Sequence, residues 1–145
     1  MITPLNPSKR AAARVTNPLP VPTACPHCAG KVQIVTNDRI YGRMFGHWPW
    51  ACLCSGCGAY VGFHPLTGIP LGTLATQPMR EARKRAKNAF NTLWQGTEEI
   101  ASMTRSEAYA WLAATLKIEP GACHVGWFDV AQCEATVLAV QERRP

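Results

Sequence analysis

The sequence has no long apolar run, and this excludes several classes of protein. No uncharged apolar window approaches the roughly 18 residues that a membrane-spanning helix requires. The first 22 residues contain five prolines and no apolar stretch like that of a signal peptide. We therefore expect neither a secretory leader nor a membrane partner. Apolar residues still make up 47% of the 145, which allows a packed core and excludes wholesale disorder.

Recognisable catalytic motifs are also missing. The sequence contains no G-x-x-x-x-G-K-[ST], no H-E-x-x-H and no G-x-S-x-G. No H-x-E precedes the cysteine pairs, as a zinc deaminase would require. The nine acids are scattered, and we expect neither an enzyme nor a small-molecule substrate.

Acidic residues are scarce in the first half of the chain. The formal net charge is +6, yet residues 1–76 contain only one acid, Asp38, against six basic residues. Residues 96–145 contain seven acids against four basic residues. A zinc ion bound by four thiolates would lower the net charge to about +4. This asymmetry favours an anionic partner for the first two-thirds, although such a charge is also typical of an ordinary soluble surface.

The cysteines predict a metal site rather than disulfides. There are seven, an odd number for a disulfide framework, and four form the pairs Cys25-x-x-Cys28 and Cys54-x-x-Cys57, with 25 residues between them. Two such knuckles on separate hairpins make a closed tetrahedral site that favours one structural Zn²⁺, although iron can use the same ligands. Cysteines that form a metal site rather than disulfides indicate a reducing compartment, most simply the cytoplasm.

The sequence contains other cysteines and histidines that could bind metal. Cys52 could exchange with Cys57, but the knuckle spacing favours Cys54 as ligand and leaves Cys52 a free thiol. We expect none of the three histidines near the β unit to bind metal: His27, His47 and His64. A second site at Cys123, His124 and Cys133 lacks a fourth ligand, so buried thiols are the favoured interpretation.

The patterning divides the chain into three parts. Residues 1–23, rich in proline and basic side chains, predict a disordered tail. Residues 24–76 predict a zinc-ribbon-like β unit with strands at 31–36, 39–45, 50–53 and 59–63 and an uncharged loop at 65–72. Residues 77–145 predict about three helices that pack on it. The expected fold class is α+β, with a small zinc ribbon and C-terminal helices in one compact domain.

The first predicted helix, 78–95, carries the candidate binding residues. Its apolar positions follow one stripe with steps of three and four. At 100° per residue four cations lie beside that stripe, which matches a phosphate-binding row or a solvated face that covers the core. These cations are Arg80, Arg83, Lys84 and Lys87.

Capping signals mark the other two helices. Thr104 and Glu107 form a capping box that opens a helix to about residue 117, and Asp129 opens one that runs to about 141. Aromatic residues near the cysteines could stack on unpaired bases if exposed, but burial in the core is the favoured interpretation. These are Trp48, Trp50, Tyr60 and Phe63.

Much of this pattern resembles a known family. The stretch from residue 25 to about 140 is similar to a family of phage and bacterial proteins described only by a zinc finger. The resemblance implies a zinc site at the four cysteines and a phage or prophage setting, and it implies no activity. Residues 1–23 lie outside it and Cys52 departs from it. The matching segments are 25–28, 40–43, 54–62, 69–74, 80–94, 106–109 and 123–129.

Two hypotheses about function follow from these observations. The first is a non-enzymatic zinc-binding accessory protein that binds nucleic acid through the basic helix. The alternative is a protein-interaction module that inhibits or redirects a host protein complex. The basic helix favours the first, and an exposed aromatic patch on the structure would favour the second.

Overall fold

The computed structural model describes residues 1–95 and 103–143. The chain divides into two compact units, Met1–Thr76 and Gln77–Pro145, which are described separately. The predicted helical part therefore includes two stretches outside the described residues, 96–102 and 144–145. Within the described residues, no helix combines the length and the apolar character needed to cross a membrane.

The first unit contains a three-stranded antiparallel sheet. Its strands are β1 (Val32–Thr36), β2 (Trp50–Cys54) and β3 (Tyr60–Gly62), in the order β1-β2-β3. The register pairs Val32 with Cys54 and Ala51 with Gly62, so Cys54 is the last residue of β2 and Cys57 lies in the turn that follows. The sheet, together with the helices of the second unit, confirms the predicted α+β class.

The predicted strand at 39–45 is wrong. Residues Asp38–Tyr41 form a short helix, α2, and β1 pairs instead with β2, which begins at Trp50. Asn37 explains the difference, because its side chain donates to the carbonyl of Phe45 and accepts from the N–H of Phe45, both at 3.0 Å. Its own N–H donates to the carbonyl of Pro49 at 2.8 Å. Asn37 therefore closes a long excursion rather than a tight hairpin turn.

The N-terminal segment contains more structure than the sequence predicted. A five-residue helix, α1 (Lys9–Ala13), begins after Ser8, whose hydroxyl accepts from the N–H of Ala11 at 3.2 Å. The N–H of Ser8 donates to the carbonyl of Leu66 at 2.9 Å. Pro4 is buried, and a Cβ on Gly68 would collide with its carbonyl oxygen. The N-terminal segment is therefore positioned by contacts with the 65–72 loop. Such contacts between distant parts of the chain leave no pattern in the local sequence.

The second unit contains the three predicted helices, α3 (Gln77–Asn91), α4 (Arg105–Leu116) and α5 (Val130–Arg143). Thr104 and Glu107 form the predicted capping box, and donation from the N–H of Thr104 lowers the pKa of Glu107. The start of α5 has the same kind of reciprocal pair. The N–H of Gln132 donates to the carboxylate of Asp129 at 2.8 Å, and the N–H of Asp129 donates to the side-chain oxygen of Gln132 at 3.1 Å. The apolar faces of the helices form one buried cluster that includes Phe90, Leu112 and Val140, and Phe128 joins it from the segment before α5.

Candidate metal centre

The first cysteine pair lies on a turn before β1. The N–H of Cys25 donates to the carbonyl of Gly30 at 2.9 Å, and the N–H of Ala29 donates to the carbonyl of Cys25 at 2.8 Å. These bonds close the turn and direct amides inward. The N–H of His27 donates to the Sγ of Cys25, and that of Gly30 to the Sγ of Cys28, both at 3.4 Å.

The second pair repeats this arrangement at the end of β2 and in the turn that leads to β3. The N–H of Cys54 donates to the carbonyl of Ala59 at 2.9 Å, and the N–H of Gly58 to the carbonyl of Cys54 at 3.1 Å. The N–H groups of Gly56 and Cys57 donate to the Sγ of Cys54 at 3.3 and 3.5 Å. Each cysteine pair therefore lies on a hydrogen-bonded turn that directs amides at sulfur.

The two turns bring all four sulfurs together. The Sγ atoms of Cys25, Cys28, Cys54 and Cys57 lie within 4.8 Å of one another. The distance is 3.6 Å from Cys25 to Cys57 and 3.4 Å from Cys28 to Cys54. A tetrahedron with Zn–S bonds of about 2.3 Å has edges of about 3.8 Å, so the four sulfurs fit one zinc ion closely. They are too far apart for disulfides.

The sequence of the chain matches the family described as a zinc-finger-containing domain over residues 21–143. This chain belongs to that family. The comparisons with curated proteins and with solved structures found no match. Family membership and the cage of four cysteines agree on one structural zinc ion, because a site with four protein ligands leaves no open coordination position.

Hydrogen bonds and burial give the ligands of this zinc-finger domain different pKa values. Donation from the N–H groups of Cys57 and Gly56 lowers the pKa of Cys54 to about 6. The N–H of Gly30 lowers the pKa of Cys28, but the contact with Cys54, burial and the contacts with the other two ligand thiols together outweigh it, and the pKa of Cys28 rises to about 11. Because cysteine binds a metal as thiolate, a divalent cation at this site would displace the protons that the thiols still hold.

Two glycines leave room for the sulfurs. A Cβ on Gly30 would lie 3.0 Å from the Sγ of Cys54 and 3.1 Å from that of Cys28. A Cβ on Gly56 would lie 3.1 Å from the Sγ of Cys28. Both turns thus approach the cage by their backbones, where side chains would crowd the ligands.

The remaining cysteines and histidines of the first unit lie outside the cage. Cys52 is fully buried, and burial raises the pKa of its thiol to about 11, as for an inert core cysteine. The ring of His27 is exposed, and its Nε2–H donates to the carbonyl of Leu74 at 2.9 Å. His47 and His64 are not among the clustered ligands.

The candidate second site is not assembled. Across residues 1–95 and 103–143, the four-cysteine cage is the one group of three or more ligand residues that could hold a metal. Cys123 and Cys133 are buried in the helical core, where burial raises the pKa of both thiols. His124 stacks on Trp127 with ring centroids 4.3 Å apart.

Helix α3 divides the four predicted nucleic-acid contacts into two groups. Lys84 and Lys87 are exposed and Arg80 is half-buried. Arg83 is also half-buried, its Nε–H donates to the carbonyl of Phe128 at 2.8 Å, and burial lowers its pKa. The helical angles explain this, because Arg83 lies only 20° from the buried Phe90. Arg83 therefore bonds to the segment that precedes α5, whereas Lys84 and Lys87 are exposed and Arg80 is partly covered.

The aromatic residues near the cage are only partly core. Phe63 is buried, but Trp48, Trp50 and Tyr60 are half-buried, and the indole N–H of Trp48 donates to the carbonyl of Thr67 at 3.0 Å. Sequence reasoning missed the exposed ring of Tyr41 and that of Phe45, because it placed both in a strand. Gly42 and Gly46, which adopt φ angles of 83° and 78°, were the available signal against that strand.

The matched turns give a prediction about stability. Ala29 adopts a left-handed φ of 61° where the second knuckle has Gly58 at 79°. Since a Cβ is disfavoured in that region, we expect Ala29→Gly to stabilise the zinc-bound protein by about 0.5–1 kcal/mol. A Cβ on Gly58 would meet nothing within 4 Å, so Gly58→Ala tests the backbone conformation alone. We expect it to lower the free energy of unfolding by about 1–2 kcal/mol. Urea unfolding of both variants measures this, and a destabilised Ala29→Gly variant would contradict it.

Proposed function

We propose that this zinc-finger-containing protein is a non-enzymatic accessory protein that binds nucleic acid through α3. The carrying observation is the flank of that helix formed by Arg80, Lys84 and Lys87, on which both lysines are exposed. Zinc has a structural role in this proposal, because four cysteines complete its coordination. The resemblance to phage and bacterial proteins supports a phage or prophage origin, and the unbridged cysteines support the cytoplasm of a bacterial host.

One observation favours a second candidate function. Tyr41, Met44 and Phe45 form an exposed group of large side chains in the first unit. Such a group is also typical of protein-interaction surfaces. The alternative is therefore a module that inhibits or redirects a host protein complex. A pull-down from host lysate with and without nuclease separates the two, because nuclease-resistant capture of one defined protein supports the alternative.

Charge reversal on α3 tests the first candidate. We expect Lys84→Glu/Lys87→Glu to weaken binding of a labelled oligonucleotide by at least about 30-fold in 50 mM salt, since two phosphate contacts become repulsive. The slope of log affinity against log salt should fall by about 2. Fluorescence anisotropy measures both quantities.

The control changes the net charge equally at two exposed positions outside α3. Lys9→Glu/Lys117→Glu should retain binding within about threefold at the same salt concentration. Absence of binding by the wild-type protein, or equal losses in the two double variants, would refute nucleic-acid binding through α3.

A further inference from the structure

The excursion between β1 and β2 presents large side chains to solvent. Tyr41 is 49% exposed, Met44 54% and Phe45 42%. These three residues lie within five positions of one another on α2 and the loop that follows it. The side chains of Tyr41 and Phe45 therefore keep solvent-exposed area that a binding partner could cover.

The rings form an ordered group. The centroids of Tyr41 and Phe45 are 5.3 Å apart at 87°, and those of Tyr41 and Tyr60 are 5.9 Å apart at 88°. Both are edge-to-face contacts, the geometry that aromatic quadrupoles favour. The guanidinium of Arg43 lies over the ring of Phe45, with its Cζ 4.4 Å from the centroid. We call Tyr41, Arg43, Phe45 and Tyr60 the aromatic surface.

The backbone beneath the aromatic surface is held in place. Asn37 fixes Phe45 by two hydrogen bonds, and the N–H of Gly42 closes α2 on the carbonyl of Asp38 at 2.8 Å. Tyr60 belongs to β3 and pairs with Leu53 of β2. Binding to this surface would thus require little ordering of the protein, which favours affinity.

A groove continues the surface beyond Tyr60. Its volume is about 490 Å³, within the range of ordinary ligand pockets. Among the residues that line it, Arg39 supplies a cation and Tyr60 an aromatic ring. The other lining residues are Ile40, Leu53, Cys54, Ser55 and Gly58. The groove therefore combines a stacking face with a group that binds phosphate.

The charge around the aromatic surface favours an anionic partner. Arg39 and Arg43 are exposed on the excursion. Asp38 is the only acid in residues 1–76, and its carboxylate accepts a hydrogen bond from the hydroxyl of Thr36. A partner with flat apolar groups and regularly spaced negative charge complements this combination of rings and guanidinium groups.

We propose that the aromatic surface and its groove bind single-stranded nucleic acid by stacking unpaired bases. This inference rests on the proposed function, to which it adds the form of the ligand and a second site. A duplex keeps its base faces covered by their neighbours, whereas unpaired bases can stack on aromatic side chains and arginine planes. Arg39 and Arg43 then neutralise the phosphates between successive bases.

Leucine substitutions test the stacking. We expect Tyr41→Leu/Phe45→Leu to weaken binding of a labelled 15-nucleotide oligothymidylate by at least about 20-fold, since each stacked base contributes about 5- to 150-fold. Binding of a 15-base-pair duplex should change by less than twofold. Leu66→Ala, which alters an exposed apolar residue of the same unit outside the surface, should change neither. Each variant should retain one zinc ion per chain.

Three outcomes would overturn the inference. One is equal weakening of single-stranded and duplex binding by the leucine variant. Another is unchanged oligothymidylate binding in a variant that retains zinc; this refutes the aromatic surface while leaving binding through α3 intact. The third is displacement of the oligonucleotide by polyglutamate at equal charge concentration, which would identify an acidic protein as the ligand. If the wild-type protein bound neither nucleic acid, the proposed function would fail as well.

Discussion

Replacing Cys54 with alanine is expected to abolish zinc binding and to unfold the three-stranded sheet. The ion connects the turn before β1 to the turn between β2 and β3, and structural zinc sites contribute about 10–16 kcal/mol to folding in small domains. The buried cluster of the first unit that includes Cys25 and Cys54 also contains only Ala59 and Leu74. A core of this size cannot replace the contribution of the metal.

Cys52 provides the matched control, because it lies two residues away in the same strand. Cys52→Ala removes one buried sulfur and should cost about 1–2 kcal/mol, but it leaves the four ligands in place. Elemental analysis should give one zinc ion per chain for Cys52→Ala and none for Cys54→Ala, and circular dichroism reports loss of the sheet. A zinc-free Cys52→Ala variant or a zinc-loaded Cys54→Ala variant would contradict the assignment of Cys54 as the ligand and Cys52 as the core thiol.

Phe90→Ala is expected to destabilise the helical unit by about 3–5 kcal/mol. The ring is fully buried in α3, and its centroid lies 4.8 Å from that of Tyr109 in α4. Truncation would remove this aromatic contact and leave a cavity among helices that are already close-packed. Urea unfolding followed by tryptophan fluorescence measures the change, because Trp94 and Trp111 pack against the same cluster.

The matched control is the exposed phenylalanine of the other unit. Phe45→Ala removes the same atoms from a ring that is 42% exposed and should cost less than about 1 kcal/mol. Similar losses in the two variants would mean that Phe90 is not the core residue its burial indicates.

The features that sequence predicted correctly are those determined over a few residues. The spacing within each cysteine pair positions two sulfurs, and the 25 intervening residues provide the strands that bring the pairs together. The helix starts at Thr104 and Asp129 likewise depend on a side chain and an amide three positions apart. Local chemistry of this kind leaves few alternatives.

The features that sequence did not predict depend on distant partners. Asn37 suggested a tight turn, but its side chain bonds to Phe45, eight residues away, and this bond replaces the expected hairpin with a longer excursion. Arg83 lies on the cationic flank of its helix, yet it also donates to Phe128, 45 residues away, a structural contact that the sequence did not indicate. Helical angles alone could have shown that Arg83 borders the core, but they could not have identified its acceptor.

The excursion closed by Asn37 has a consequence for engineering. Its two ends, after β1 and before β2, lie next to each other, because the N–H of Asn37 donates to the carbonyl of Pro49. The excursion contains none of the four metal ligands. A segment attached in this way can be exchanged as a cassette, because a flexible insertion at such a site adds only a small closure entropy. A library randomised between these two anchors would therefore vary the exposed side chains of the excursion while the four metal ligands stay unchanged.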